Sequence, residues 1–299
     1  MSVWLPTAPC TPTTCLTEPV PTVALPRRAL RLAVFLPVLV TGIVLIPPVR
    51  ALPREVRDRL VRLWARTLLG SLGVAVRLAP RPAAEGGVLV VANHVSWLDI
   101  PLIAAGRPGR AVAKAELGRW PVFGPLISSG GTVLIERDRL RALPAAVDAV
   151  AALLRAGRPV VVFPEGSTWC GRESGRFRPA FFEAAARAGA PVQPVAIRYR
   201  LADGRPTSVA AFVGEDDLVS SLARVVAVRG LVAEVTFLPL IPAPVASMAP
   251  TRPTGPNGPT RPTGPSGLTR LTGPRGLGRS RARHELARAA QAAVEAAWR

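Results

Sequence analysis

Apolar positions along this chain fall into three regimes. From Ala29 to Val49 they run almost unbroken apart from Arg31. That run approaches the roughly 20 residues that cross a bilayer, although Pro37, Pro47 and Pro48 argue against a plain straight span. From Glu55 to Leu78 the pattern changes: Leu60, Leu63, Trp64, Leu68, Leu72 and Val76 recur at helical spacing between arginines. This suits a helix lying in the headgroup layer, or an amphipathic helix packed on a domain. From Gly87 onward, short apolar runs of strand length alternate with helical segments.

The alternation predicts strands at Gly87–Ala92, Arg110–Ala113, Gly131–Ile135, Pro159–Phe163 and Val192–Tyr199. Helices are predicted at Trp97–Ala105, Leu140–Ala156 and Pro179–Ala188, followed by a short apolar run at Val209–Val213 and an edge strand at Val232–Leu238. The fold class is α/β, a sheet flanked by helices whose central strands are buried on both faces, with an N-terminal membrane-associated helical segment. Outside it the pattern fails. Residues 1–26 are rich in Pro and Thr and read as a disordered leader, and residues 243–278 contain a nine-residue repeat opening at Thr251, Thr260 and Thr269 that reads as a linker. The domain organisation is therefore leader 1–26, membrane-associated helices 27–80, α/β domain 81–242, linker 243–278 and an alanine-rich C-terminal helix 279–299.

Composition sharpens this picture. Hydrophobic residues make up 49% of the 299, and the mean hydropathy is +0.30, which favours membrane contact. A formal charge of +19 calls for an anionic partner. Lys114 is the only lysine, so part of the charge reflects an arginine-rich composition. With no RNA-binding signature or aromatic-interleaved basic strand, a phospholipid surface is favoured over nucleic acid. Arginines flank the first apolar run on both sides, Arg27, Arg28 and Arg31 before and Arg50, Arg54, Arg57 and Arg59 after. The positive-inside rule then gives no orientation, and a kinked, partly inserted helix with both ends on the cytoplasmic side is expected. Cys10, Cys15 and Cys170 are an odd set without metal-ligand spacing, which suits a reduced compartment and no metal.

The candidate chemistry begins where the first central strand ends. Asn93-His94 is followed by Asp99, five residues after the histidine. A histidine removes a hydroxyl proton near neutral pH, and a carboxylate on its other nitrogen fixes the tautomer. On an ideal helix positions five apart lie roughly 140° apart, so the two meet only if His94 belongs to the turn before the helix. Two other strands end on polar groups: Gly131 to Ile135 leads to Arg137, and Phe163-Pro164 leads to Glu165, Gly166, Ser167 and Thr168. Strand ends are where open α/β sheets place their sites.

In order and spacing these blocks resemble the lysophospholipid acyltransferase family, which includes 1-acylglycerol-3-phosphate acyltransferases. Asn93, His94 and Asp99 match its Asn-His-x4-Asp block; Gly131, Ile135 and Arg137 its second; Phe163, Pro164, Glu165, Gly166 and Ser167 its third; Val192, Pro194 and Val195 its fourth. Lys114 and the Trp120 to Gly124 stretch also look like the family, and the resemblance spans roughly Gly87 to Tyr199. One position departs: Thr168 stands where many members that acylate lysophosphatidate carry arginine. Losing that cation weakens the expected grip on a phosphate monoester.

The resemblance implies a glycerolipid acyltransferase-like fold and direct acyl transfer without a covalent acyl-enzyme. His94, oriented by Asp99, takes the proton from the acceptor hydroxyl, which attacks the thioester of acyl-CoA or acyl-carrier protein; no other cofactor is implied. Lys114, Arg137, Glu165, Gly166, Ser167 and Thr168 are the expected acceptor-binding residues, with backbone amides after Asn93 as oxyanion donors. The expected acceptor is 1-acyl-sn-glycerol-3-phosphate, giving phosphatidic acid at the cytoplasmic face of the membrane. The alternatives are another lysolipid such as lyso-ornithine lipid, or a non-catalytic basic protein that binds lipid or nucleic acid. A serine hydrolase is disfavoured, since the chain has no Gly-x-Ser-x-Gly elbow.

Overall fold

The computed structural model of the protein describes residues 8–80, 86–115, 124, 131–135, 140–243 and 274–298. Its centre is a sheet of seven strands: β1 (Val74–Leu78), β2 (Leu89–Ala92), β3 (Arg110–Lys114), β4 (Val133–Ile135), β5 (Val160–Val162), β6 (Val192–Leu201) and β7 (Leu231–Phe237). They lie in the order β1-β7-β6-β2-β5-β3-β4. The run from β6 to β4 is parallel throughout, while β7 pairs antiparallel with β6 and parallel with β1. The described helices are α1 (Pro12–Cys15), α2 (Leu25–Val44), α3 (Ile46–Ala51), α4 (Arg54–Ser71), α5 (Asp99–Gly106), α6 (Leu143–Arg155), α7 (Phe182–Ala188), α8 (Leu218–Ala227) and α9 (Pro274–Trp298).

Period-2 alternation divides the sheet's side chains between two cores. Val90 and Ala92 of β2 and Val195 and Ile197 of β6 face a layer that includes α2, α4, α5 and α8. Leu89 and Val91 face the other layer, built on α6, α7 and α9. With β6 on one side and β5 on the other, every residue of β2 is buried, which is why this strand is a bare apolar run. The C-terminal helix closes the second face: Leu286, Ala287, Ala290 and Val294 pack into its core, and Trp298 Nε1 donates to the Ile197 carbonyl at 3.2 Å.

Four features differ from the sequence expectations. The amphipathic pattern through Leu78 is two elements, because α4 ends at Ser71 and Gly73 turns the chain at φ +81°. A Cβ there would lie 2.1 Å from the Arg31 guanidinium carbon, so glycine alone fits. Val74–Leu78 then alternates as a strand and covers β7, which is an interior strand rather than the expected edge. The short apolar run Val209–Val213 is a buried loop pinned by Arg224 donating to the Val209 and Ala211 carbonyls. Helix α8 was not expected; Asp217 caps it, accepting from the Val219 and Ser220 N–H groups. Finally, residues 8–26, expected to be disordered, carry α1 and a bridge between Thr22 and Val228. The repeat linker lies almost wholly outside the described residues.

Among the described residues, no helix is long and apolar enough to cross a membrane. Helix α2 nonetheless exposes Leu30, Val34, Leu36, Val40 and Val44 on an arc of about 160°, while Phe35 and Leu39 point into the core. Val56, Leu60 and Leu63 form an exposed apolar stripe on α4.

Candidate active site

The site is built at the C-terminal ends of the parallel strands. Beyond β2, the Asn93 side chain carries on the pairing with β6: its Nδ2 donates to the Ile197 carbonyl at 3.0 Å, and the Ile197 N–H donates to its Oδ1 at 2.8 Å. The main chain is thereby released from the ladder and turns. His94 lies in that turn and Asp99 is the first residue of α5, so the two side chains converge as the spacing requires.

Asp99 is fully buried and saturated with donors. Its Oδ2 accepts from the Val95 N–H at 2.7 Å and the Ser96 N–H at 2.8 Å, and lies 2.8 Å from His94 Nδ1. Its Oδ1 accepts from the Tyr199 hydroxyl at 2.6 Å. These contacts orient the ring, with Nδ1 on the Asp99 carboxyl and Nε2 as the ring nitrogen left over. The imidazole stacks on Phe163, centroids 4.0 Å apart and 16° from parallel. Its side chain keeps 18% exposure, enough for a substrate to reach it.

Tyr199 was not among the residues expected from sequence. Burial, then the Asp99 charge, drives its pKa well above the ordinary value, so it stays a donor. The available signal was strand periodicity: Val195, Ile197 and Tyr199 lie two apart and share one face of β6.

The third block braces the histidine from behind. Gly166, at φ +76°, makes the turn after β5, with its N–H donating to the Phe163 carbonyl at 3.1 Å. Glu165 is buried, and its Oε2 accepts the His94 N–H at 3.1 Å while Oε1 has no hydrogen-bond partner. Burial raises its pKa to about 8, against the pull of the His94 and Gly175 N–H groups and with the Asp99 charge adding to the rise. Trp169 donates its N–H to the His94 carbonyl at 2.8 Å, so both peptide groups of the histidine are held by this block. Thr168 turns its hydroxyl onto the Phe212 carbonyl, and Ser167 lies half-buried beside it.

Lys114 ends β3 and pairs in register with Ile135 at the end of β4. These ends share the sheet edge with His94 and Glu165; β3 lies two strands from β2, roughly 10 Å. Arg137 and residues 120–123 of the Trp120 to Gly124 stretch lie outside the described residues. The expected oxyanion donors are otherwise engaged: the His94 N–H serves Glu165, and the Val95 and Ser96 N–H groups serve Asp99. The second histidine, His284, is exposed on α9 with Nδ1 against the Ser280 carbonyl.

Among the described residues, no serine, threonine or cysteine hydrogen-bonds the His94 ring. What the geometry shows is an imidazole held by a buried carboxylate at the ends of the parallel strands. Comparison with known proteins gives the class its name. The Acyltransferase family model matches residues 74–198. A lyso-ornithine lipid O-acyltransferase from Pseudomonas aeruginosa is 41% identical over 172 residues, covering 56% of this chain and 64% of that protein, so the chain spans slightly less than two thirds of that relative. A 1-acyl-sn-glycerol-3-phosphate acyltransferase from Neisseria meningitidis is 37% identical over 185 residues, covering 62% and 72%. The crystal structure of a 1-acyl-sn-glycerophosphate acyltransferase from Thermotoga maritima shares the fold, with TM-score 0.54 and 18% identity over 89% of this chain and 96% of that one. The chain belongs to the acyltransferase family whose named relatives acylate lysolipids.

Proposed function

We propose that the protein transfers a fatty acyl group from a thioester donor, acyl-CoA or acyl-carrier protein, to the free hydroxyl of 1-acyl-sn-glycerol-3-phosphate, forming phosphatidic acid. The observation that carries this is the 2.8 Å contact between His94 Nδ1 and Asp99, which leaves Nε2 as the base. As the acceptor oxygen attacks the thioester carbon, its proton passes to Nε2; when the C–S bond breaks, the imidazolium returns the proton to the departing sulfur. Asp99 stabilises the imidazolium between those steps. Lys114 and Arg137 are the cations for the acceptor phosphate, and Glu165, Gly166 and Ser167 shape the turn that seats the headgroup.

A second reading, another lysolipid such as lyso-ornithine lipid, is favoured by Thr168. Its hydroxyl is spent on the Phe212 carbonyl and supplies no charge where an arginine is expected. We also propose that the exposed apolar arc of α2 and stripe of α4 seat the enzyme on the cytoplasmic face of a membrane. Helix α4 packs on α5, whose first residue is Asp99, so the seat and the base belong to one packed unit.

The test is transfer of labelled acyl groups from acyl-CoA, and separately from acyl-carrier protein, to lysophosphatidate and to lyso-ornithine lipid. Transfer to lysophosphatidate that falls about 10²- to 10⁴-fold in His94→Ala, with folding retained, is expected. Transfer to the ornithine acceptor alone selects the second reading. Undiminished transfer by a folded His94→Ala protein sinks the mechanism.

A further inference from the structure

The chain's three cysteines are scattered in sequence, yet the fold gathers all of them. Cys10 lies two residues before α1, Cys15 is its last residue, and Cys170 follows Trp169 just past the third block. Their three Sγ atoms all lie within 4.8 Å of one another. We propose that they form a three-thiolate site for a thiophilic metal ion, which clasps the N-terminal segment to the turn that braces the catalytic histidine.

The geometry is close to what such an ion needs. Metal–sulfur bonds of about 2.3 Å set sulfur–sulfur edges of roughly 3.7–4.0 Å, so the thiols need close by less than about 1 Å from the outer limit seen here. No imidazole or carboxylate joins the group among the described residues. An all-sulfur set selects soft or borderline ions, Zn²⁺ or Cu⁺, over Mg²⁺ and Ca²⁺. Cys10 and Cys170 are buried, whereas Cys15 is partly exposed and gives the ion its path in. Each thiol that ligates releases its proton to solvent.

The scaffold around the sulfurs is fixed independently of them. A reciprocal cap between Thr11 and Thr14 sets the loop that separates Cys10 from Cys15. Glu18 pairs with Arg172 at 2.7 Å, two residues beyond Cys170. The Val23 N–H donates to the Ala227 carbonyl and the Arg229 N–H to the Pro21 carbonyl, each at 2.8 Å. A Cβ on Gly214, at φ +59°, would stand 3.0 Å from the Cys10 carbonyl oxygen, so the neighbouring loop is cut to fit the segment. Cys170 adjoins Trp169, whose N–H holds the His94 carbonyl. The ion therefore ties the segment to the back of the site and does not touch the reacting atoms.

The experiment uses the full chain in detergent, reduced with a non-thiol phosphine and kept anaerobic. Co²⁺ serves as the spectroscopic probe, Zn²⁺ as its displacer, and Cu⁺ is offered in a separate arm against a chromophoric chelator. One equivalent of Co²⁺ with thiolate-to-metal charge-transfer absorption is expected, displaced by Zn²⁺ and accompanied by a rise in Tm. Cys170→Ser and Cys15→Ser should each weaken binding by more than about tenfold. Cys15 is the more exposed thiol, so Cys15→Ser tests ligation without disturbing a buried position. The arm with tighter binding, Zn²⁺ or Cu⁺, identifies the ion. The proposal is overturned if neither ion binds the reduced protein, or if binding survives unchanged in both serine variants. It is equally overturned if the absorption carries no thiolate component.

Discussion

A single buried carboxylate, Asp99, fixes the imidazole, two backbone amides and a phenol. Removing the phenol tests that arrangement without touching the base. In Tyr199→Phe, Asp99 Oδ1 loses its donor and the carboxylate is held less firmly against the imidazole. kcat should fall about tenfold with KM for the acceptor unchanged. An unchanged kcat in the folded variant would reduce Tyr199 to a packing residue. Glu165 makes a second prediction. Its folded pKa of about 8 exceeds the ordinary 4.5, so the native state holds its proton more tightly than the unfolded chain. Stability from this group is complete below pH 4.5 and is lost as pH rises toward 8. Glu165→Gln should remove that loss, raising stability at pH 8 by an amount on the order of a few kcal/mol while changing little at pH 5. Urea titrations at the two pH values measure the difference.

At the scale of elements, the sequence made the parallel part of the sheet readable and the antiparallel part much less so. β2 and β5 are buried apolar runs that lead into the blocks carrying His94 and Glu165, and β6 supplies Ile197, the partner of Asn93. Strand β1 was hidden because Leu72 and Val76 continue the four-residue spacing that follows Leu68, and only the turn at Gly73 separates the two periods. Tyr199 and the role of Asn93 were hidden for a different reason: each acts through a partner about 100 residues away, which no local pattern encodes. The same holds for Arg31, read as a blemish in an apolar run. Its Nη1 donates to the Val226 carbonyl at 2.6 Å and the Val228 carbonyl at 2.7 Å, tying α2 to the end of α8, while burial lowers its pKa. Arg31→Met keeps the apolar stem but strips these charge-assisted bonds. It should cost about 1–3 kcal/mol, read as a lower urea midpoint at unchanged slope.

On the scale of the whole molecule, a net charge of +19 and the apolar faces of α2 and α4 act together. On the proposed membrane seat, charge would contribute about 1 kcal/mol per arginine near anionic lipid, a part that weakens as salt rises. Burying exposed leucine and valine would add roughly 1.5–3 kcal/mol per side chain and resist salt. The stripe of Val56, Leu60 and Leu63 on α4 runs beside Arg59, Arg62 and Arg66, so both contributions come from one face. Replacing Leu36 and Val40 with aspartate leaves the core residues Phe35 and Leu39 in place while charging the exposed arc. Co-sedimentation with phosphatidylglycerol vesicles should then fall at least about tenfold. Transfer to a short-chain acceptor below its micelle concentration should stay at the unsubstituted level, because no atom of either residue belongs to the site. Unchanged sedimentation would assign vesicle binding to charge alone, and a matching loss on the monomeric acceptor would show that α2 shapes the catalytic domain and not its membrane seat.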